Sequence, residues 1–416
     1  MKVTFCASDF PNQVGGPYAW LPRLLPDLRA RSIEPRVLFF SGGKIKKCQS
    51  IQQVKQQGFP HEVSTTNRYT RQRVRWILEK LSEDPPDVFI PNLLVPAFYA
   101  SHWVKKAGIP TIGILHSDDS FYHAAVDQFV LGSPKYQVSK FVCVSRFLQQ
   151  TLLEKGVPQT TIPCIPYGVP VPQDTAKPPT DKLKIIYLGR LVEEQKQISQ
   201  LAQAFCRAVK EVPNTEAVIY GSGNASSSVE KILAEQGKDL PVRLGGIVPN
   251  SEVQKYLLEA HVIVLLSDYE GLPIALMEAM ACGVVPICLR IRSGIPELVE
   301  EGVSGLLVSD RQDDFVNAIR RLREEPHLWK KLSQGARSKI EAEYSNHFAA
   351  DLWAELLAEL VQNAKATEKI KVPRFFVLPT VHPAFVQRDP RPPALPRRLV
   401  NKSAYLLKKT KQKLSN

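Results

Sequence analysis

"HVIVLLSDYEGLPIALMEAMACG", residues 261–283, decides how this chain is read. The six residues "HVIVLL" (261–266) are mostly aliphatic and rich in β-branched side chains, which predicts a short buried strand. "PIALMEAMAC" (273–282) predicts a short helix closed by Gly283. Glu270 sits in the loop between them, and a second carboxylate, Glu278, sits inside the helix. Ligands of open parallel sheets bind outside the carboxyl ends of the strands. A carboxylate at each end of a helix-start loop therefore suggests that something is held there.

The same strand–loop–helix unit recurs outward in both directions. "KVTFCA" (2–7) predicts a first strand, followed by a loop and an interrupted helix, "YAWLPRLLPDLRARS" (18–32). "PRVLFF", "DVFIPN", "PTIGIL" and "FVCVS" follow as short β-rich runs separated by helical or loop material. "VPVPQDTAKPPTDK" (169–182) is Pro-rich and polar and reads as a linker. The pattern then restarts with "LKIIYLG", one helix over "EQKQISQLAQAFCRAVKE", "EAVIYG", a helix near 226–236, "VRLGG", "SEVQKYLLEA", "HVIVLL" and "VVPICL". Alternating strands and helices in two blocks predict an α/β protein of two Rossmann-like, doubly wound domains facing one another. The expected boundaries are 1–170 for the first domain, 171–182 for the linker and 183–345 for the second domain. A helix over 346–364 is expected to return to the first domain, and 365–416 to be a basic, Pro-rich tail, disordered or surface-associated.

With 416 residues, two domains are expected rather than one core. The formal net charge of +13 is concentrated at one end. From Lys365 onward 13 Lys and Arg face only Glu368 and Asp389, so the body is near neutral. Bulk basicity is thus no argument for nucleic acid, and no specific nucleic-acid partner is expected. The seven cysteines include no CxxC pair and lie in apolar contexts, which fits reduced, buried thiols and a cytosolic protein. "MKVTFCASDF" is too short and polar for a signal peptide, and no run of 18 apolar residues offers a membrane span.

Unusual residues gather at the strand ends: Gly15 and Gly16, His116, Arg190, Gly221 and Gly223, and Glu270. A helix start near Pro273 leaves amides unpaired around Gly271 to Ala275. Such a start favours an anion by about 0.3–1 kcal/mol, too little to hold a diphosphate. Cations are needed, and "GRLVEEQK" (189–196) supplies Arg190 and Lys196. Glu270 and Glu278 would repel phosphate, so they are expected at uncharged, hydroxyl-bearing ends of the ligand. Hydroxyls at both ends and a diphosphate between describe a nucleoside-diphosphate sugar. The other reading of the two glutamates is that Glu278 pairs with a surface base and Glu270 caps the helix.

At this point the chain resembles a family. "EGLPIALMEAMACGVVPI" (270–287) is similar to the E-x7-E block of the retaining GT4 glycosyltransferases. "GGPYAWLPRLLPDLRARS" (15–32), "VCVSRFLQQTLLEKGVPQTTIPCIPYGV" (142–169), "IIYLGRLVEEQKQISQLAQAF" (185–205), "VIYGSGN" (218–224), "LGGIV" (244–248) and "SGIPELVEEGVSGLLV" (293–308) extend the likeness over about residues 1 to 364. The resemblance implies a GT-B fold with the active site between two lobes. It implies that Glu270 binds the transferred sugar and that Glu278 binds the ribose. Arg190, Lys196 and the helix start at Gly271, Leu272, Pro273 and Ile274 would meet the diphosphate. Gly15 and Gly16 would let the first loop approach the substrate, His116 would sit by the sugar, and Gly246 to Val248 would pass the nucleobase. It further implies retention of anomeric configuration and no required metal or other cofactor, although "DYE" (268–270) imitates a DxD motif. A glycan or glycolipid acceptor is the family-level expectation.

Three departures from the family stand out. Tyr167 and Pro170 replace a common Asn and Asp, "GSGN" replaces the commoner G-x-G-P, and "EEQKQ" lacks the usual glycine after the lysine. Competing functions are a GT-B epimerase or phosphorylase and a catalytically silent nucleotide-sugar-binding protein. A dehydrogenase fits poorly, because "VGGPYAW" is not GxGxxG. "NRYTRQRVRWILEKL" (67–81) places Val74, Ile77, Leu78 and Leu81 on one helix face and Arg68, Arg71 and Arg75 on another, the latter either solvated or meeting an anionic acceptor or lipid. "RRLVNKSAYLLKKTKQKL" (397–414) could form a basic amphipathic helix at the inner face of an anionic membrane, or be a disordered tail.

Overall fold

Among the described residues, twelve short strands carry most of the buried apolar runs. They are β1 (Lys2–Ser8), β2 (Glu34–Phe40), β3 (His61–Ser64), β4 (Val88–Asn92), β5 (Thr111–Leu115), β6 (Lys140–Cys143), β7 (Leu183–Leu188), β8 (Thr215–Tyr220), β9 (Val242–Gly246), β10 (Val262–Leu265), β11 (Val285–Leu289) and β12 (Leu306–Val308). The structure, a computed structural model, describes residues 1–11, 16–92, 94–364 and 368–392, with side chains of the first helix from Ala19 onward. Every ladder is parallel. One sheet runs β3-β2-β1-β4-β5-β6 and the other β12-β11-β10-β7-β8-β9. Parallel strands need crossover helices on both faces, so central strands are buried on both sides and read as unbroken apolar runs. β4, β5, β10 and β11 are buried at every residue.

Both sheets have the same winding. The chain builds outward from β1 to β3, then returns to pair β4 with the other edge of β1; it does likewise from β7 to β9 and then β10. The order reverses between β1 and β4 and between β7 and β10. At such switch points neighbouring crossovers diverge and leave a crevice at the carboxyl ends. Arg190 follows β7 and Glu270 follows β10, so the sheet order alone puts them on either side of the second crevice.

Two expected helices differ. Gly16–Ala30 is one continuous helix despite Pro22 and Pro26, where an interrupted one was expected. Each proline deletes a backbone hydrogen bond. Burial of Trp20, Leu21, Leu24, Leu25 and Leu28 along the same helix offsets that loss. The single helix expected over 194–211 is split into Glu193–Lys196 and Ile198–Glu211 by Gln197, whose φ of 47° is left-handed. This is the position after Lys196 where the family usually has glycine, and the left-handed backbone is the reason a glycine suits it.

After Ile198–Glu211 and the second sheet, helices Asp313–Glu324, Pro326–Glu343 and Asn346–Gln362 follow. The last leaves the second sheet and lies on the first lobe. Trp353 meets Trp20 at 6.0 Å between ring centroids, Asp351 pairs with Arg31 at 2.7 Å, and the backbone of Val169 bonds to Tyr344 and Asn346. Of the tail expected to be disordered or surface-associated, residues 368–392 lie along the first lobe as a strap with little regular structure. Phe385 is fully buried against Phe121 and Phe129, and Asp389 is buried with Arg391 at 2.7 Å and the Tyr99 hydroxyl at 3.1 Å. The amide of Thr70 donates to the carbonyl of Pro390, which ties the strap to helix Thr70–Glu83. The basic segment 397–414 lies outside the described residues.

Candidate active site

β10 ends at Leu265 and helix Ile274–Ala281 begins nine residues later, with Pro273 at its N-cap. Gly283 closes it with a φ of 74°, as expected of a glycine there. Gly271, Leu272, Pro273 and Ile274 are buried. Gly271 has no alternative, because a Cβ there would stand 2.3 Å from the carbonyl oxygen of His116. The loop of the second lobe therefore rests on the backbone after β5 of the first, and the helix start is at the boundary between lobes.

Three of the expected residues come together. Glu270 is 5% exposed and is paired with Lys196. Gln195 links them to the arginine: its Nε2 donates to Glu270 Oε2 at 3.3 Å and to the Tyr269 carbonyl at 3.0 Å, while its Oε1 accepts from Arg190 Nη2 at 2.9 Å. Tyr187 donates to the Arg190 carbonyl at 2.7 Å and fixes the turn after β7. Arg190 is otherwise exposed. Gln195 was not singled out from the sequence; its position between Arg190 and Lys196 in "GRLVEEQK" was the available signal.

Glu278 lies apart from this cluster. It pairs at 2.5 Å with Arg23 on helix Gly16–Ala30, a base of the opposite lobe. A base partner for Glu278 is what the second reading of that glutamate expected, but the base comes from across the cleft. Arg23 also stands in the block that resembles the family, where only Gly15 and Gly16 drew notice. Gly15 is outside the described residues, and Gly16 opens the helix.

His116 is 4% exposed and both ring nitrogens are engaged, Nδ1 with the Tyr167 hydroxyl at 2.5 Å and Nε2 with Asn92 Oδ1 at 2.7 Å. Burial pushes its pKa down to about 3, so the imidazole is neutral. With Asn92 accepting from Nε2, the tyrosine donates to Nδ1. Tyr167, a departure from the family, is thus the ring that stacks on His116, 5.7 Å between centroids. As a buried, satisfied group, His116 is a poor proton carrier, and its carbonyl is what meets the second lobe.

Gly246 ends β9 with its carbonyl accepting from the Gly221 amide at 2.8 Å, and Val248 is buried while Ile247 between them is exposed. A further cross-lobe contact was missed: Glu297 accepts from the amides of Arg146 and Phe147 at 2.8 and 2.6 Å, capping helix Arg146–Glu154 of the first lobe. It lies in the quoted "SGIPEL" stretch, but only the fold brings that stretch to the first lobe.

Two parallel-sheet lobes, with paired bases and a buried carboxylate at the switch point between them, define a GT-B architecture. Residues 15–172 match "Glycosyltransferase Family 4" and residues 173–339 match "Glycosyl transferases group 1". The chain belongs to the GT4 family of glycosyltransferases. It is 32% identical over 237 residues to the amylovoran biosynthesis glycosyltransferase AmsK of Erwinia amylovora, covering 52% of this chain and 55% of that one. It is 26% identical over 181 residues to the alpha-D-kanosaminyltransferase of Streptomyces kanamyceticus, covering 43% and 46%. The chain spans about half the length of these curated relatives. The fold is that of Anabaena Alr3699/HepE solved with UDP and glucose, with a TM-score of 0.71, 18% identity, and 86% of this chain and 100% of that chain covered. No helix among the described residues is long and apolar enough to cross a membrane.

Proposed function

We propose that this chain moves a hexose from a nucleoside-diphosphate sugar to a hydroxyl of a glycan or lipid acceptor, with retention of anomeric configuration. The observation that carries the reading is the cluster Arg190–Gln195–Glu270–Lys196 at the β7/β10 crevice, beside the start of helix Ile274–Ala281. Without donor, Lys196 and Glu270 neutralise each other. An arriving diphosphate competes for the ammonium and, with Arg190 and the helix-start amides, offers it a stronger anion. Glu270 is then free to accept hydrogen bonds from the sugar hydroxyls. Glu278 would likewise exchange Arg23 for the ribose hydroxyls.

In the reaction the anomeric carbon–oxygen bond breaks and its electron pair goes to the diphosphate. The acceptor oxygen bonds to the anomeric carbon on the same face, and its proton passes to the departing phosphate oxygen. Charge fixed beforehand at Arg190 and Lys196 stabilises the leaving group without reorganisation. These two bases are the reason a metal is not invoked, and transfer is expected to persist in EDTA. Amylovoran biosynthesis in one relative favours a polysaccharide acceptor, and UDP with glucose in a structural neighbour favours a UDP-hexose donor. The site of action would be cytoplasmic, at a membrane face where a lipid acceptor is carried.

A thermal-shift screen of UDP, GDP, ADP and dTDP and their sugars tests the reading. A ligand at a hundred times its dissociation constant stabilises by about 2.7 kcal/mol. A diphosphate shift without turnover on any acceptor would favour a silent binding protein, and interconversion of the sugar nucleotide would favour an epimerase.

A further inference from the structure

The strap 368–392 has an outer edge that sugar transfer leaves unused. Side chains of an extended segment alternate between two faces. Phe376 turns inward onto Trp103, 4.9 Å between centroids, beneath the guanidinium of Arg71 at 5.4 Å, and Leu378 is buried. Phe375 and Val377 turn outward and are 86% and 87% exposed, the most exposed large hydrophobic residues among those described.

Single exposed apolar residues are ordinary on a protein surface. This pair differs in its setting. Lys369, Lys371 and Arg374 precede it, and no acid occurs between Lys369 and Arg388. Arg75 holds the strap from below by donating to the carbonyls of Pro373, at 3.3 Å, and Arg374. Arg75 is half-buried under the strap and Arg71 stays exposed beside it, so helix Thr70–Glu83 adds positive charge to this edge; Glu79, four residues beyond Arg75, is the acid next along that helix. The strap is not free to fold its apolar edge away, because Phe385 and Asp389 lock its far end.

The occupant can be argued from size and charge. Two side chains are far short of the roughly 800 Å² per partner that a stable protein interface buries. A bilayer interface asks for less: a few apolar side chains at headgroup depth, with bases attracted to anionic lipid. We propose that the outer edge of this strap, led by Phe375 and Val377 with Arg374 beside them, docks the first lobe on an anionic lipid bilayer. The strap grips helix Ser120–Phe129 through Phe385, so docking would hold the first lobe at the lipid surface and leave the second lobe outward. This inference gives a surface to the membrane-face placement proposed above and does not rest on the transfer chemistry.

The test uses the full chain, with its basic end intact, and phosphatidylglycerol–phosphatidylcholine vesicles against phosphatidylcholine alone. The wild type is expected to co-sediment with the anionic vesicles and to be released by salt. Phe375→Ser/Val377→Ser is expected to keep the wild-type unfolding temperature and to lose about tenfold or more in partitioning. A polarity-sensitive fluorophore on Val377→Cys should shift to the blue on anionic vesicles. Absence of vesicle binding overturns the proposal. So does equal binding by the double variant with a label that stays aqueous, which would assign binding to 393–416. A dimer that the double variant dissolves, with no vesicle binding, would assign the edge to a second copy instead.

Discussion

Lys196 and Glu270 form a closed pair before any ligand arrives, and both are largely buried. Removing one partner of such a pair strands the other's charge, so the two residues should not behave alike. Glu270→Ala is expected to leave Lys196 able to meet phosphate: nucleoside-diphosphate binding persists while transfer falls by about a hundredfold or more, as for loss of one preorganised polar contact. Arg190→Ala should weaken nucleoside-diphosphate binding itself by about ten- to a hundredfold, the worth of a charge-assisted contact; titration calorimetry separates the two cases. His116 makes a different prediction. Its folded pKa of about 3 lies below the ordinary value of 6.5, so between those limits the unfolded chain binds the extra proton. Stability should therefore fall as pH drops from 6.5 toward 3. His116→Gln should reduce that slope by about 1.4 kcal/mol per pH unit, read from urea unfolding at a series of pH values. Arg190, Lys196 and Glu270 were legible because their spacing from strand ends is local. Arg23 was not, because a residue becomes a partner across the cleft only through the packing of two lobes; nor was the bond of Tyr167 to His116, which joins distant stretches of the first lobe.

Elements show the same division between local and distant causes. Hydrophobic runs bounded by turn residues located the central strands, which are buried on both faces; the edge strands β3, half-buried, and β12, three residues long, were not read from the sequence. The split after Lys196 could not be read from periodicity, because Glu193–Lys196 carries no apolar residue that would show a break before the pattern of 198–209. That residue yields a test with an inverted sign. Within a helix glycine is less stable than alanine by about 1 kcal/mol, yet at a left-handed position a Cβ costs roughly 1–2 kcal/mol. Gln197→Gly should therefore be the more stable of Gln197→Gly and Gln197→Ala, by about 1 kcal/mol in chemical unfolding. If alanine is the more stable, Gln197 lies within a continuous helix. The contact of Glu297 with helix Arg146–Glu154 acts between elements of opposite lobes. Glu297→Ala should cost about 0.5–2 kcal/mol, the range for losing an N-cap, and should speed proteolysis within 171–182 as the lobes part. Glu297→Gln keeps one acceptor oxygen and should lose less.

At the scale of the molecule, two sheets with the same winding place two switch-point crevices at one boundary, and the chain's return through Asn346–Gln362 ties the second lobe to the first. The alternation of strands and helices made that architecture readable from the sequence. The strap was not readable: seven prolines in 373–396 and few periodic apolar residues describe an open chain equally well. What orders it is a set of pockets on the first lobe for Phe376, Phe385 and Asp389, and pockets leave no mark in the strap's own composition. The central claim is that Arg190 and Lys196 together grip the diphosphate of a sugar nucleotide. Titration calorimetry of wild type and Arg190→Ala/Lys196→Ala with the nucleoside diphosphate found by thermal shift, and with its parent nucleoside, tests it most directly. The expected result is strong preference for the diphosphate in the wild type, collapsing in the double variant to the weak affinity of the nucleoside. Equal diphosphate affinity in both proteins would place the phosphates elsewhere and contradict the account.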